Sequence, residues 1–224
     1  MRAARAGLFA ALGLLAACGS VPFRPTEAVP TRPATAASLA GGLWTAGKGT
    51  YLVRQSVLIE YMGSRVAVSG VMRLDTVGKT ARLVGMDEMG VKWFDLSIDR
   101  ESTRTNFLLP ALERYPRMAG AVGDSVRRIF LDPEPEATDT LRVDPDRYVL
   151  TRSRDGDCIR FTLGGEDAQL LEKRLRGPSG RWRIRYYEHQ RWQGVTVPGG
   201  IVLEDRRAGY RLTLWMNLLE HADE

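Results

Sequence analysis

Few side chains in this sequence are of the type that does covalent or acid–base chemistry. They are Cys18, Cys158, His189, His221 and the pair Asp155/Asp157. A cysteine nucleophile needs a nearby base and an electropositive setting that favours the thiolate. His221 sits near the end of the chain, and nothing visible in the sequence orients His189. Cys158 therefore reads as a small buried hydrophobe. Asp155 and Asp157 flank Gly156, a spacing that suits a hairpin turn better than a carboxylate dyad. There is no Gly-x-Ser-x-Gly elbow, no cluster with metal-ligand spacing and no phosphate loop. The sequence predicts a protein that is not an enzyme and uses no metal and no cofactor.

Cys18 differs from the others because its neighbours specify a reaction. Arg2 and Arg5 precede an apolar run from Ala6 to Leu15, followed by Leu15-Ala16-Ala17-Cys18. Basic residues, a short apolar segment and small residues before a break make a secretory signal. The apolar run is only about half of the roughly 20 residues a spanning helix needs. Leu-Ala-Ala-Cys matches the lipobox of bacterial lipoproteins. The match implies cleavage after residue 17, with acyl chains on the sulfur and new amino terminus of Cys18. Several chains on one cysteine give a stable anchor, whereas one chain holds weakly. Gly19 and Ser20 follow, not aspartate. By resemblance to enterobacterial sorting rules, this implies the periplasmic face of the outer membrane.

Loss of residues 1–17 leaves 207 residues and lowers the formal charge from +5 to +3. An exported chain with interspersed charges makes nucleic acid an improbable partner. Residues 18–42 hold the acylated cysteine and a Pro/Ala-rich stretch containing Val21-Pro22, Arg24-Pro25, Val29-Pro30 and Arg32-Pro33, which reads as a flexible tether. Residues 43–224 form one domain, long enough for a real core. With Cys18 acylated, Cys158 has no disulfide partner.

From Thr50 onward, apolar residues alternate in short runs separated by turn residues. This is the signature of antiparallel strands. About ten or eleven strands are expected, in two meanders either side of a helical insert. The insert follows Phe107-Leu108-Leu109-Pro110 and carries Leu112, Tyr115, Met118, Val122, Val126 and Phe130 at helical spacing. Pro116 and Gly120 predict a bend or two short helices.

Such a sheet must hide one apolar face. The fold class is mainly β (α+β), an incomplete barrel covered by the insert. If the helical stripe closes over Phe94, Leu96, Leu212 and Leu214, the space between can take an acyl chain. A filled core is the plainer outcome of the same pattern.

The order of these features, ending in Gly209-Tyr210-Arg211-Leu212-Thr213-Leu214, resembles a family of uncharacterised bacterial lipoproteins similar in layout to the LolA/LolB carriers. The resemblance implies an incomplete barrel that receives the acyl chains of a lipid or lipoprotein, without catalysis. It also implies a membrane-contacting loop, for which Met86 and Met89 in Gly85-Met86-Asp87-Glu88-Met89-Gly90 are the nearest candidates. The alternative is an assembly lipoprotein that docks an envelope protein, with the acidic stretch around Asp132–Glu136 as its surface.

Overall fold

The computed structural model describes residues 21–192 and 194–222. Cys18 and the signal segment lie outside them. Twelve strands form one antiparallel sheet, in the order β5-β4-β3-β2-β1-β12-β11-β10-β9-β8-β7-β6. The first half comprises β1 (Thr50–Tyr61), β2 (Ser64–Asp75), β3 (Thr80–Met86), β4 (Lys92–Ile98) and β5 (Thr103–Leu108). The second comprises β6 (Thr140–Asp144), β7 (Arg147–Arg154), β8 (Asp157–Gly164), β9 (Gln169–Gly177), β10 (Gly180–Trp192), β11 (Val195–Asp205) and β12 (Tyr210–His221). β1 and β12 pair, joining the two meanders into one sheet, while β5 and β6 remain its two edges. It is an unclosed barrel. β6 is the strand that sequence patterning missed. It is five residues long and largely exposed, so it carries no buried alternation to read.

Alternation sets the two faces. In β10, Trp182, Ile184 and Tyr186 are buried while Arg181 is exposed and Arg183 and Arg185 are half-buried. The inner face thus holds one apolar cluster that includes Tyr51, Met72, Leu96, Phe161, Ile184 and Leu214. Each such side chain gains about 1.5–3 kcal/mol on full burial.

Two covers close over that face. One is the expected insert, a 3-10 turn (Pro110–Leu112), α2 (Met118–Val126) and a wide π turn (Arg127–Leu131). Pro116 falls in the break, as its missing amide requires. Gly123 lets α2 approach β5 closely: a Cβ there would stand 2.0 Å from Thr103 Oγ1. Arg127 stitches the insert down by donating to the carbonyls of Asp99 (2.9 Å) and Ser102 (2.9 Å). Arg128 pairs with Asp205 at 2.6 Å. The other cover is a helix the sequence reading did not anticipate. It precedes the insert in the chain and is labelled α1 (Ala36–Gly42), opened by a capping box in which Thr35 and Ser38 bond each other's amides at 3.1 Å.

The flexible tether expected over residues 18–42 is therefore corrected for residues 21–42. They form a strap. Phe23 is buried on the outer face against Tyr187 and Val202. Its ring occupies the space over Gly200, where a Cβ would meet it at 2.3 Å. The Arg24 amide donates to Glu188, Thr31 Oγ1 to the Asp144 carbonyl (2.9 Å), and the Arg32 amide to Tyr148 Oη (2.7 Å). Leu39, Leu43 and Trp44 then enter the inner core. Proline-rich chain is already extended and needs no ladder partner. A few distant anchors suffice to order it, and those are invisible in local composition.

The acidic stretch after the insert is also engaged. Glu134 pairs with Lys79 at 2.5 Å, Glu136 with Arg152 at 2.5 Å, and buried Asp139 with Arg152 at 2.7 Å. Glu134 and Glu136 thus already meet cations of the domain, which speaks against this stretch as a free docking surface.

Candidate functional site

Antiparallel order places the turns after β1, β3, β7, β9 and β11 at one rim of the sheet, here the upper rim. The turns after β2, β4, β6, β8 and β10 lie at the lower rim. A cavity of about 270 Å³ opens at the lower rim, between the end of α1 and strands β9–β11. Its apolar wall includes Leu43, Trp44, Ile129, Leu170 and Val195. Its polar wall includes Thr45, Lys48, Asp167, Gln169, His189 and Arg191.

Each polar group has a local cause. The β8–β9 turn presents Asp167, whose carboxylate accepts from Thr196 Oγ1 at 2.9 Å and from Arg191 at 3.2 Å. The Thr196 hydroxyl first, and then Arg191, hold Asp167 below the usual carboxylate range. Gln169 Oε1 is buried in the wall with no hydrogen-bond partner. A buried acceptor of this kind costs about 1–3 kcal/mol until something donates to it.

His189 joins the strap to the cavity. Its Nε2 lies 3.1 Å from the Leu170 carbonyl and its Nδ1 lies 2.8 Å from Thr26 Oγ1. A carbonyl can only accept, so Nε2 carries the proton and Nδ1 accepts from the threonine. Burial pushes the imidazole pKa down to about 4, so the ring is neutral near pH 7. The sequence offered no orienting group for His189 because Thr26 lies in the stretch read as a tether.

Lys173, 1% exposed, is bonded to the backbone of Ile129, a residue of the cavity wall. Its Nζ donates to the carbonyls of Arg128 (3.3 Å) and Ile129 (3.2 Å) in the π turn, and Tyr186 Oη also donates to Ile129 at 3.1 Å. These are carbonyls a helix end leaves without partners. Burial lowers the Lys173 pKa to about 8, partly opposed by the nearby Glu134 and Asp132 charges.

The residues expected to line a cavity are distributed unevenly. Val126, Phe130, Phe94, Leu96, Leu212 and Leu214 are buried in the inner cluster, with Met118 and Val122 packed on its margin. Leu112 is half-buried and Tyr115 is 50% exposed. None of the ten lines the lower-rim cavity, whose wall comes from α1, the π turn and β9–β11. Sequence periodicity could not find that wall, because α1 was hidden in the proline-rich stretch.

At the upper rim, Met86 is half-buried at the end of β3, whereas Met89 is 89% exposed. Asp87 Oδ1 fixes the loop by accepting from the amides of Met89 (3.0 Å) and Val91 (2.9 Å). A second apolar tip was not foreseen: Met62, 82% exposed, with Tyr61 beside it in the β1–β2 turn. Cys158 is half-buried and free; its cross-strand neighbours are Ser153 and Arg176. Its expected burial is thus only partial.

Solved structures share this architecture, and two of them are informative. One is a LolA superfamily protein from Nitrosomonas europaea, with a TM-score of 0.56 and 12% identity over 86% of this chain and 96% of that one. The fold is LolA-like. The second is a domain from Vibrio parahaemolyticus named for outer membrane lipoprotein sorting, with a TM-score of 0.53 and 11% identity over 77% of this chain and 85% of that one. No protein family matches the sequence, and no curated protein matches it. The LolA-like frame accounts for the open sheet, the inner apolar face and the helical cover. Among the described residues, no helix is long and apolar enough to cross a membrane.

Proposed function

We propose that this protein is a lipoprotein of the outer membrane's periplasmic face, anchored through acylated Cys18, that binds or passes on the acyl chain of a lipid or lipoprotein without catalysis. The observation that carries the reading is the cavity between α1 and β9–β11, walled on one side by Leu43, Trp44, Ile129, Leu170 and Val195. A LolA-like sheet with an apolar inner face supports it, as does the lipoprotein-sorting designation of one structural neighbour.

At about 270 Å³ the cavity is just below the range of about 300–1,000 Å³ usual for small-ligand pockets. It admits the end of a chain, and a longer segment requires α1 to move outward. α1 is suited to that movement: it spans seven residues and buries Leu39 alone. The polar wall would then meet the head of the ligand.

Native mass spectrometry of the mature protein from its host tests the proposal. A co-purifying lipid should be present in the native chain and lost in Ala168→Trp or Val195→Trp variants, both at positions in the cavity wall, that remain folded. An apo mass that persists after incubation with host lipids would overturn the binding reading. The anchor is tested separately: Cys18→Ala should abolish fatty-acid incorporation and release the protein from the membrane fraction.

A further inference from the structure

The outer face of β8–β10 gathers six arginines around Glu172, while Glu188, further along β10, takes up the Arg24 amide of the strap. Cross-strand partners share a face, so the register places Arg160, Arg174 and Arg183 side by side in one row. Arg176 and Arg181 stand side by side in the next. Arg185 faces Glu172, whose carboxylate is drawn to Arg183 at 2.6 Å. Arg185 reaches Glu204 on β11 at 2.8 Å. Among the described residues, Arg160, Arg174, Arg176 and Arg181 have no carboxylate partner, whereas Arg183 and Arg185 have theirs. Like charges directly opposite one another destabilise a sheet. A folding requirement would not produce this arrangement, whereas binding of anions would.

The strap adds an independent constraint. Val21 and Phe23 pack on this same outer face, against Tyr187 and Val202, and Arg185 lies over the Tyr187 ring at 5.9 Å. Two residues, Gly19 and Ser20, separate Cys18 from Val21, a reach of at most about 11 Å. An anchor at Cys18 therefore holds the outer face of the sheet, where Val21 and Phe23 pack, close to the bilayer. The β9–β10 turn of the arginine rows also shares the upper rim with the exposed Met62 and Met89 turns.

We infer that the outer face of β8–β10 is a membrane-docking surface that binds the phosphates of anionic phospholipid headgroups through Arg160, Arg174, Arg176 and Arg181. Guanidinium groups suit phosphate because they donate paired hydrogen bonds and stay charged. Docking this way leaves the cavity mouth, at the lower rim, open to the aqueous side for a client. The position of the anchor rests on the acylated reading of Cys18; the arginine rows do not.

The test uses the mature chain with Cys18→Ser, so that no acyl anchor contributes. Binding is measured by co-sedimentation with vesicles of phosphatidylcholine plus phosphatidylglycerol, and of phosphatidylcholine alone. The chain should bind the anionic vesicles and lose that binding at high salt. Replacing the four arginines by glutamine should weaken binding by about fivefold per residue. A control with the same loss of charge elsewhere, at exposed Arg100, Arg104, Arg114 and Arg117, should retain most of it. The four-arginine variant should be at least as heat-stable as the parent, which separates lost docking from lost folding. Equal binding to both vesicle types, or equal loss in the two quartets, would overturn the inference. Failure of the cavity reading would leave this result untouched, because the assay requires no ligand in the cavity.

Discussion

Lys173 Nζ lies 3.2 Å from the carbonyl oxygen of Ile129, so a buried lysine on β9 closes the open end of the helical insert. Removing it leaves the Arg128 carbonyl without its donor, while Ile129 keeps Tyr186. Lys173→Ala should therefore cost about 2–4 kcal/mol, combining an unpartnered acceptor with a cavity. Urea denaturation at pH 7 measures this. The same lysine predicts a pH effect. Its folded pKa of about 8 lies below the 10.5 usual for a lysine, so between these values the unfolded chain binds more protons. Its contribution to stability rises with pH across that window. Lys173→Met should flatten that rise.

His189 gives the opposite end of the scale. Its folded pKa of about 4 lies below 6.5, so the stability tied to the neutral ring is present above pH 6.5 and lost as pH falls towards 4. The loss should reach about 3 kcal/mol when the ring is fully protonated. Thermal unfolding of the native chain and a His189→Gln variant, compared from neutral pH downward, isolates it. Parallel curves would refute the buried neutral imidazole.

Phe23 and Gly200 predict how the strap is held. Phe23→Ala should cost about 3–4 kcal/mol. Gly200→Ala should expel the ring from the other side, because the added Cβ would meet it at 2.3 Å. Both variants should gain protease cleavage between residues 21 and 35 before the sheet unfolds.

Met89 should matter to membranes and not to folding. At 89% exposure it contributes little to the core, so Met89→Asp should change stability by less than about 0.5 kcal/mol. Vesicle association should fall in this variant and further when Met62→Asp is added. Unchanged association would remove both tips from membrane contact.

The sheet and its helical insert were legible in the sequence because both announce themselves by local periodicity. Ile159, Phe161 and Leu163 alternate, and Met118, Val122 and Val126 recur at four-residue spacing. β6 escaped because a short exposed edge strand has no buried face. The candidate site was less legible. Its wall depends on α1, seven residues within a proline-rich stretch, and on a contact between Thr26 and His189 that are 163 positions apart. Composition describes what a segment tends to do alone and says nothing about the distant groove it lies in. Burial of Lys173 was equally hidden, since a charged residue inside a strand reads as solvent-facing until its partner carbonyls are known.

The unpaired edges β5 and β6 have a mechanical consequence. In a closed barrel, widening the interior means breaking a ladder of backbone bonds. Here, among the described residues, the seam between the two edge strands is bridged by the insert rather than sewn by strand pairing. The two halves of the sheet can splay about the β1–β12 junction while every strand keeps its neighbours. Taking in a bulky guest then leaves the strand ladders whole and asks only the fastenings of the insert to yield, Arg127 on β4–β5 and Lys173 and Asp205 on the other half, like the catch of a hinged clasp.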